Sequence, residues 1–192
     1  MAKKISTKSR IIEAAWKLFR AKGYEETTIE DIIALSGTSK GTFYHYFAGK
    51  DALLSSLSDL FDSYYEELYP SLPKDMNRVD MLIELCQRVH QMIGEEIQLN
   101  VLAYLYSSQV VTKGNRHLLD QNRFYYQMIR EIVEDGFRRG EIRSDLTTAE
   151  VSRIYSMCER AIIYDYCICD GAVDLGKYTT KMIPILLAGL RA

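Results

Sequence analysis

Proline is scarce in this chain, with only Pro70, Pro73 and Pro184 in 192 residues, and strict apolar/polar alternation is almost absent. Both shortages argue against a strand-rich fold, which needs frequent turn residues and a period of two. No apolar run approaches the roughly 20 residues of a membrane-spanning helix. None follows the opening Met-Ala-Lys-Lys either, so a soluble, unprocessed, cytoplasmic protein is expected. The four cysteines, Cys86, Cys158, Cys167 and Cys169, lack metal-type spacing and sit in apolar periodic segments, which suits reduced, buried thiols. Cys167 and Cys169 lie about 200° apart on an ideal helix, so within one they could neither bridge nor share an ion. The sequence also lacks a Gly-rich phosphate loop, a His-Glu-x-x-His pair and a recognisable nucleophile arrangement. Neighbouring acids such as Glu95 and Glu96 point apart on a helix. Neither an enzyme, a cofactor nor a metal centre is therefore expected, and His90 and His117 read first as satisfied or exposed side chains.

Helical periodicity fills the space these absences leave. With 47% hydrophobic residues the chain can bury a substantial core. The pattern predicts an all-α protein of about nine helices, near 6–22, 28–36, 39–47, 50–68, 77–94, 97–111, 115–139, 147–170 and 174–190. In the first, Ile11, Ile12, Ala15, Leu18 and Phe19 form one stripe and Gly23 is a suitable stop. Thr27 or Thr28 can cap the second helix, with Glu30 or Asp31 three residues on, while Ile29, Ile32 and Ile33 form its buried side. Gly37 ends it, and Ser39 can cap the third. Pro70-Ser-Leu-Pro73 is the clearest break in the pattern. The turn after Arg139-Gly140 leads to Thr147 as the next cap, and Pro184 should kink or split the last helix.

Charge is unevenly spread. Residues 1–50 hold nine Lys/Arg against five acids, a net of +4, which leaves −6 for the remainder. A basic N-terminal lobe on an acidic body suits a protein that touches nucleic acid at one end. Within that lobe, Thr28 to Lys50 reads as a short helix, a glycine turn and a second short helix rich in aromatics, the pattern of a DNA-binding helix-turn-helix. On a helical wheel centred on Phe43, Tyr46 and Phe47 fall within about 60° and complete an inward aromatic face. Gly41 and His45 fall opposite, flanked by Thr42 and Tyr44, with Lys40 at the start. A glycine costs a helix roughly 1 kcal/mol against alanine, so Gly41 on the outward face suggests close approach of backbone to a partner. Lys/Arg neutralise phosphates whereas side chains in the major groove read base edges. Lys40, Lys50 and the Tyr44 hydroxyl are accordingly assigned to phosphates, and Thr42, His45 and the Gly41 backbone to bases. Ser39 and Thr28, at helix N-termini, can offer hydroxyls and N–H groups to phosphates.

These residues resemble the N-terminal domain of the TetR family of transcriptional regulators. The likeness runs through Ile11-Ile-Glu-Ala-Ala-Trp-Lys-Leu-Phe19, Gly23-Tyr24, Thr28-Ile29, Asp31-Ile32, Ser36-Gly-Thr-Ser-Lys-Gly-Thr-Phe-Tyr-His-Tyr-Phe47 and Lys50-Asp-Ala-Leu53. Ile33, Ser36 and Thr38 depart from the family's usual Ala, Ala and Val, all at packing positions. The resemblance implies a DNA-binding domain over residues 1–50 and a helical ligand-binding and dimerisation domain over 51–192. It further implies a homodimer on a palindromic operator, released by a small effector.

The later sequence fits that implication. The segment 147–170 is apolar around much of its circumference, and Tyr178, Met182, Ile185, Leu186 and Leu190 add a second apolar surface. Ile154, Cys158, Ala161, Ile162, Met182, Ile185 and Leu186 are the expected dimer contacts, although a single larger core explains the same pattern. Most of the 14 tyrosines follow residue 60, and aromatics with few charges line either an apolar or aromatic ligand cavity or an ordinary core. Given the resemblance, Phe61, Tyr65, His90, Tyr104, Phe124, Met128 and Tyr155 are the candidate pocket residues. A competing reading makes the C-terminal domain a docking surface for another protein, with DNA binding used to place it. That reading predicts a large exposed apolar patch and no enclosed cavity.

Overall fold

A computed structural model describes residues 6–111 and 116–192. Among them the chain is helical: α1 (Thr7–Lys22), α2 (Ile29–Ser36), α3 (Lys40–Tyr46), α4 (Asp51–Leu54), α5 (Ser56–Leu68), α6 (Arg78–Glu96), α7 (Leu99–Val111), α8 (Phe124–Arg138), α9 (Thr148–Ile168) and α10 (Leu175–Leu187). No strand forms among the described residues, and an isolated antiparallel bridge joins Ile142 to Arg191. None of these helices is long and apolar enough to cross a membrane. The start expected near residue 115 lies outside the described residues, and α8 begins at Phe124, after a 3-10 turn at His117–Leu119. Pro184 does not split α10, which runs on to Leu187 and then tightens into a 3-10 turn. Thr147 caps α9 as expected, in a reciprocal box with Glu150. Of the cysteines, Cys86 is buried but Cys169, just past the end of α9, is exposed.

Two compact units divide the chain. One comprises Met1–Asp59 with Asn100–Leu118, the other Leu60–Leu99 with Leu119–Ala192. The Pro70–Pro73 break thus falls inside the second unit, and the transition falls within α5 instead.

In the first unit, α1 packs on α2 and α2 on α3. Ile11, Ala15, Phe19, Ile32, Phe43, Leu53 and Leu57 are fully enclosed, an apolar burial that is the main favourable term for so small a core. Trp16 packs edge-on against Phe19, and its indole Nε1 donates to Ser56 Oγ at 2.9 Å. Residues of α7 join this unit because Tyr104 packs on Tyr24, ring centroids 4.6 Å apart, and its hydroxyl donates to the Glu25 carboxylate.

In the second unit α6 is central, with α10 along it and α8 and α9 also against it. Val79, Leu82, Leu85, Cys86, Val89 and Ile93 form its buried side. A bidentate ion pair joins Arg123 to Asp62, with Nη2–Oδ1 at 2.6 Å and Nε–Oδ2 at 3.0 Å. Arg78 pairs with Asp135 at 2.5 Å.

Candidate nucleic-acid interface

Each end of α2 and the start of α3 is set by local chemistry. Thr28 Oγ1 accepts from the Asp31 amide at 3.1 Å while the Asp31 carboxylate accepts from the Thr28 amide at 2.8 Å, a complete capping box. Lys22, 2.5 Å from that carboxylate, and the Thr28 donors hold it well below the usual carboxylate range. Gly37 then turns the chain with φ 62° and ψ 37°, the left-handed conformation that glycine adopts without a Cβ penalty. Ser39 Oγ accepts from the Thr42 amide at 3.1 Å and so caps α3.

The exposed side of α3 carries Lys40, Gly41, Tyr44 and His45, with Thr42 half-buried beside them. Phe43 at 0% and Phe47 at 6% exposure anchor the opposite side. Tyr44 stands edge-on to Phe43 and is 47% exposed, so its hydroxyl is available to a partner. Lys40 pairs with Glu30 at 3.2 Å in an ion pair open to solvent, which a phosphate can displace at little cost. A Cβ added at Gly41 would meet nothing nearer than Ser39 Oγ at 4.0 Å, so no contact within the chain requires glycine there.

One assignment changes. Tyr46 does not belong to the inward face; it is 41% exposed, its ring against His45. Tyr46, at the last position of α3 and at the edge of that arc, turns outward, while Phe47, the C-cap with φ −137°, is the second anchor. Lys50, assigned to phosphates, is engaged within the protein. Its ammonium donates to the carbonyls of Tyr24 at 2.7 Å and Glu25 at 3.2 Å and lies 4.3 Å from the Tyr24 ring centroid. The Tyr24 hydroxyl in turn donates to Asp51, which together with burial raises the phenol pKa. Nothing in linear spacing signals this Tyr24–Lys50–Asp51 lock.

Lys50→Met is therefore expected to cost on the order of 2 kcal/mol of stability through two lost charge-assisted hydrogen bonds. The salt dependence of DNA binding should stay unchanged. Lys40→Ala should do the reverse, leaving denaturant unfolding alone and lowering the slope of log K against log salt by about 0.9. Denaturant titration and salt-series binding isotherms of the two variants check both halves.

Of the expected pocket residues, Tyr65, His90 and Tyr155 converge in the second unit. The Tyr65 hydroxyl donates to Glu159 Oε1 at 3.0 Å, the Tyr155 hydroxyl shares its one proton between Oε1 at 3.0 Å and the Leu82 carbonyl at 3.1 Å, Tyr125 donates to Oε2, and His90 Nδ1 lies 2.8 Å from Thr179 Oγ1. Burial raises the Glu159 pKa while the three phenols oppose the shift. Phe61 and Met128 are buried, Phe124 is partly exposed, and Tyr104 belongs to the first unit. Two surface grooves of the second unit lie elsewhere. One, of about 640 Å³, is bordered by Arg88 and Lys177; the other, of about 600 Å³, is bordered by Arg130, Arg153 and Arg160. Neither is lined by any of these aromatics.

Among the expected dimer residues, Ile185 and Leu186 are 65% and 42% exposed, Ala161 is exposed, and Ile154, Cys158 and Met182 are half-buried. Ile162 is instead in the protomer core at 3% exposure, on the inward stripe of Val151, Tyr155 and Glu159. Met157, Tyr164 and Ile168, exposed at 49%, 57% and 62%, extend the outward stripe of α9.

Residues 11–57 match the family model described as "Bacterial regulatory proteins, tetR family". An uncharacterized HTH-type transcriptional regulator, YhgD of Bacillus subtilis strain 168, is 28% identical over 173 residues, covering 84% of this chain and 85% of that protein. HbdR, an HTH-type transcriptional regulator of Aromatoleum sp. strain CIB, is 30% identical over 136 residues, 68% of this chain and 59% of its own. Among solved structures, the TetR family repressor FadR of Thermus thermophilus, determined with lauroyl-CoA, shares the fold with a TM-score of 0.79 at 24% identity, over 96% of this chain and 94% of that one. A capped helix-turn-helix with an open polar face, set in the helical fold these regulators share, makes this chain a member of the TetR family of DNA-binding transcriptional regulators.

Proposed function

We propose that this regulator is a ligand-responsive repressor that binds a palindromic operator as a homodimer and is released by a small, largely apolar or aromatic effector. The observation that carries the reading is the outward stripe of α9 and α10. Ile154, Met157, Cys158, Ala161, Tyr164 and Ile168 recur at spacings of three and four on α9, and Ile185 and Leu186 stand exposed on α10. Apolar side chains left open in such a row favour self-association about a two-fold axis. Two copies of α3 then enter successive major grooves roughly 34–36 Å apart.

Release requires that the effector bind two conformations with different affinity. Helix α5, which contributes residues to both units, is the element proposed to carry the change. The aromatic-rich core of the second unit, with Phe61, Tyr65, Met128 and Tyr155 buried, supports an apolar or aromatic effector class. Acyl-CoA thioesters, represented by the lauroyl-CoA in the Thermus thermophilus FadR structure, are the first effectors to assay.

Selection of bound sequences from random DNA by the purified protein tests the operator claim directly. An inverted repeat is expected. Enrichment of a single unrepeated site, or of no motif, would overturn it. Should the α9–α10 face prove to hold a different protein, the docking reading replaces the homodimer.

A further inference from the structure

Three side chains that coordinate metals meet in the interior of the second unit. Cys86 and His90 lie one turn apart on α6, and α9 brings Glu159 against them. One donor atom from each lies within 4.8 Å of the other two. Cys86 Sγ is 3.8 Å from His90 Nδ1 and 3.9 Å from Nε2. Around a tetrahedral zinc ion with ligand bonds of about 2.0–2.3 Å, neighbouring donor atoms stand about 3.5 Å apart. The Cys86–His90 pair is within a few tenths of an ångström of that spacing, and the group as a whole, within 4.8 Å, closes on an ion by up to about 1.3 Å, a movement within reach of side-chain rotation.

The surroundings fit the role of a ligand set. The imidazole is buried in the core, an environment that favours the neutral ring coordination requires. The hydrogen bond between Nδ1 and Thr179 Oγ1, at 2.8 Å, orients the ring, and in the tautomer protonated at Nδ1 it leaves the Nε2 lone pair for an ion. Glu159 has three phenolic hydroxyls on its carboxylate and no ion pair among the described residues. A carboxylate has about four acceptor sites; besides the phenols, Glu159 meets the Cys86 thiol, whose proton a cation would replace. A buried carboxylate without a countercharge is costly, and a divalent ion supplies that charge.

We propose that Cys86, His90 and Glu159 form an internal site for a zinc-class divalent ion, three protein ligands with a small exogenous ligand in the fourth position. On binding, the Cys86 thiol gives its proton to solvent and its thiolate bonds to the metal. Thiolate, carboxylate and M²⁺ then sum to zero charge inside the fold. The ion links α6 to α9, and this role is independent of the operator.

Cobalt(II) is the probe. Protein produced in minimal medium supplemented with Co(II), so that the ion is present while the chain folds, is expected to retain one equivalent per chain after desalting. It should show thiolate-to-cobalt charge transfer and tetrahedral d–d bands. Cys86→Ser should abolish the charge-transfer band, whereas Cys169→Ser, at an exposed position, should leave it intact. Thr179→Val removes the support of His90 without touching a ligand and is expected to weaken retention against a chelator about 10- to 100-fold. Should Cys86→Ser not fold, Thr179→Val and the wild-type stoichiometry still decide the matter. Wild-type protein without stoichiometric cobalt, a band that survives Cys86→Ser, a band lost with Cys169→Ser, or unchanged retention in Thr179→Val would each overturn the site.

Discussion

Replacing Tyr164 and Ile185 together by glutamate is expected to prevent the proposed homodimer from forming, leaving a monomer, and to lower affinity for the proposed palindromic operator by about 10²- to 10⁴-fold. Both residues are exposed in the protomer, at 57% and 65%, so the substitutions remove no core contact. A carboxylate on each would have to be desolvated without a partner on association, and symmetry doubles the cost. The affinity loss follows from avidity. In a dimer, the second recognition helix binds as an intramolecular event at high effective concentration, and a monomer forfeits that gain. Sedimentation, circular dichroism and binding to full and half operators separate the outcomes. Native helicity, monomeric mass and retained half-site binding are expected. A variant that stays dimeric while losing operator affinity would place the interface elsewhere.

Arg123→Ala is expected to cost about 3 kcal/mol, a large effect for a single position, because it leaves Asp62 enclosed without its countercharge. The two side chains are only 12% and 14% exposed and pair through both guanidinium edges, with the Tyr125 ring also beneath the guanidinium. The lower end of the range for broken buried pairs applies since both groups keep some access to water. Removing both charges, with Arg123→Met and Asp62→Leu combined, should recover most of the loss, because an apolar pair of similar volume avoids the desolvation penalty altogether. Urea unfolding of the two single variants and the double variant gives the coupling. Simple additivity of the two single losses would show that the pair is not what holds this region.

Where the structure agrees with expectation, the determinants lie within a few residues of one another. Thr28 with Asp31, Ser39 with Thr42 and Thr147 with Glu150 close hydrogen bonds three positions apart, so the helix starts at 29, 40 and 148 could be read directly. The outward face of α3 followed the same local logic as far as His45. It failed at Tyr46, the last residue of a seven-residue helix, and it gave no sign of the Lys50 contacts, because their acceptors, the carbonyls of Tyr24 and Glu25, lie half a domain away in sequence. Ile162 was misplaced for a related reason. On a helix apolar on nearly all sides, composition does not distinguish the face that meets the chain's own core from a face left open. The Cys86, His90 and Glu159 group left no trace in spacing, since two of its members share α6 while the third depends on how α9 is laid against it.

The return of Asn100–Leu118 to the N-terminal unit bears on how such regulators can be recombined. A chimera that takes residues 1–59 from a relative to change operator preference would keep the host's Tyr104, and with it the ring that covers residue 24 and the hydroxyl that meets residue 25. Grafts that preserve an aromatic at 24 and an acid at 25 should accept a foreign head, and those that lose them need residues 100–118 from the same donor.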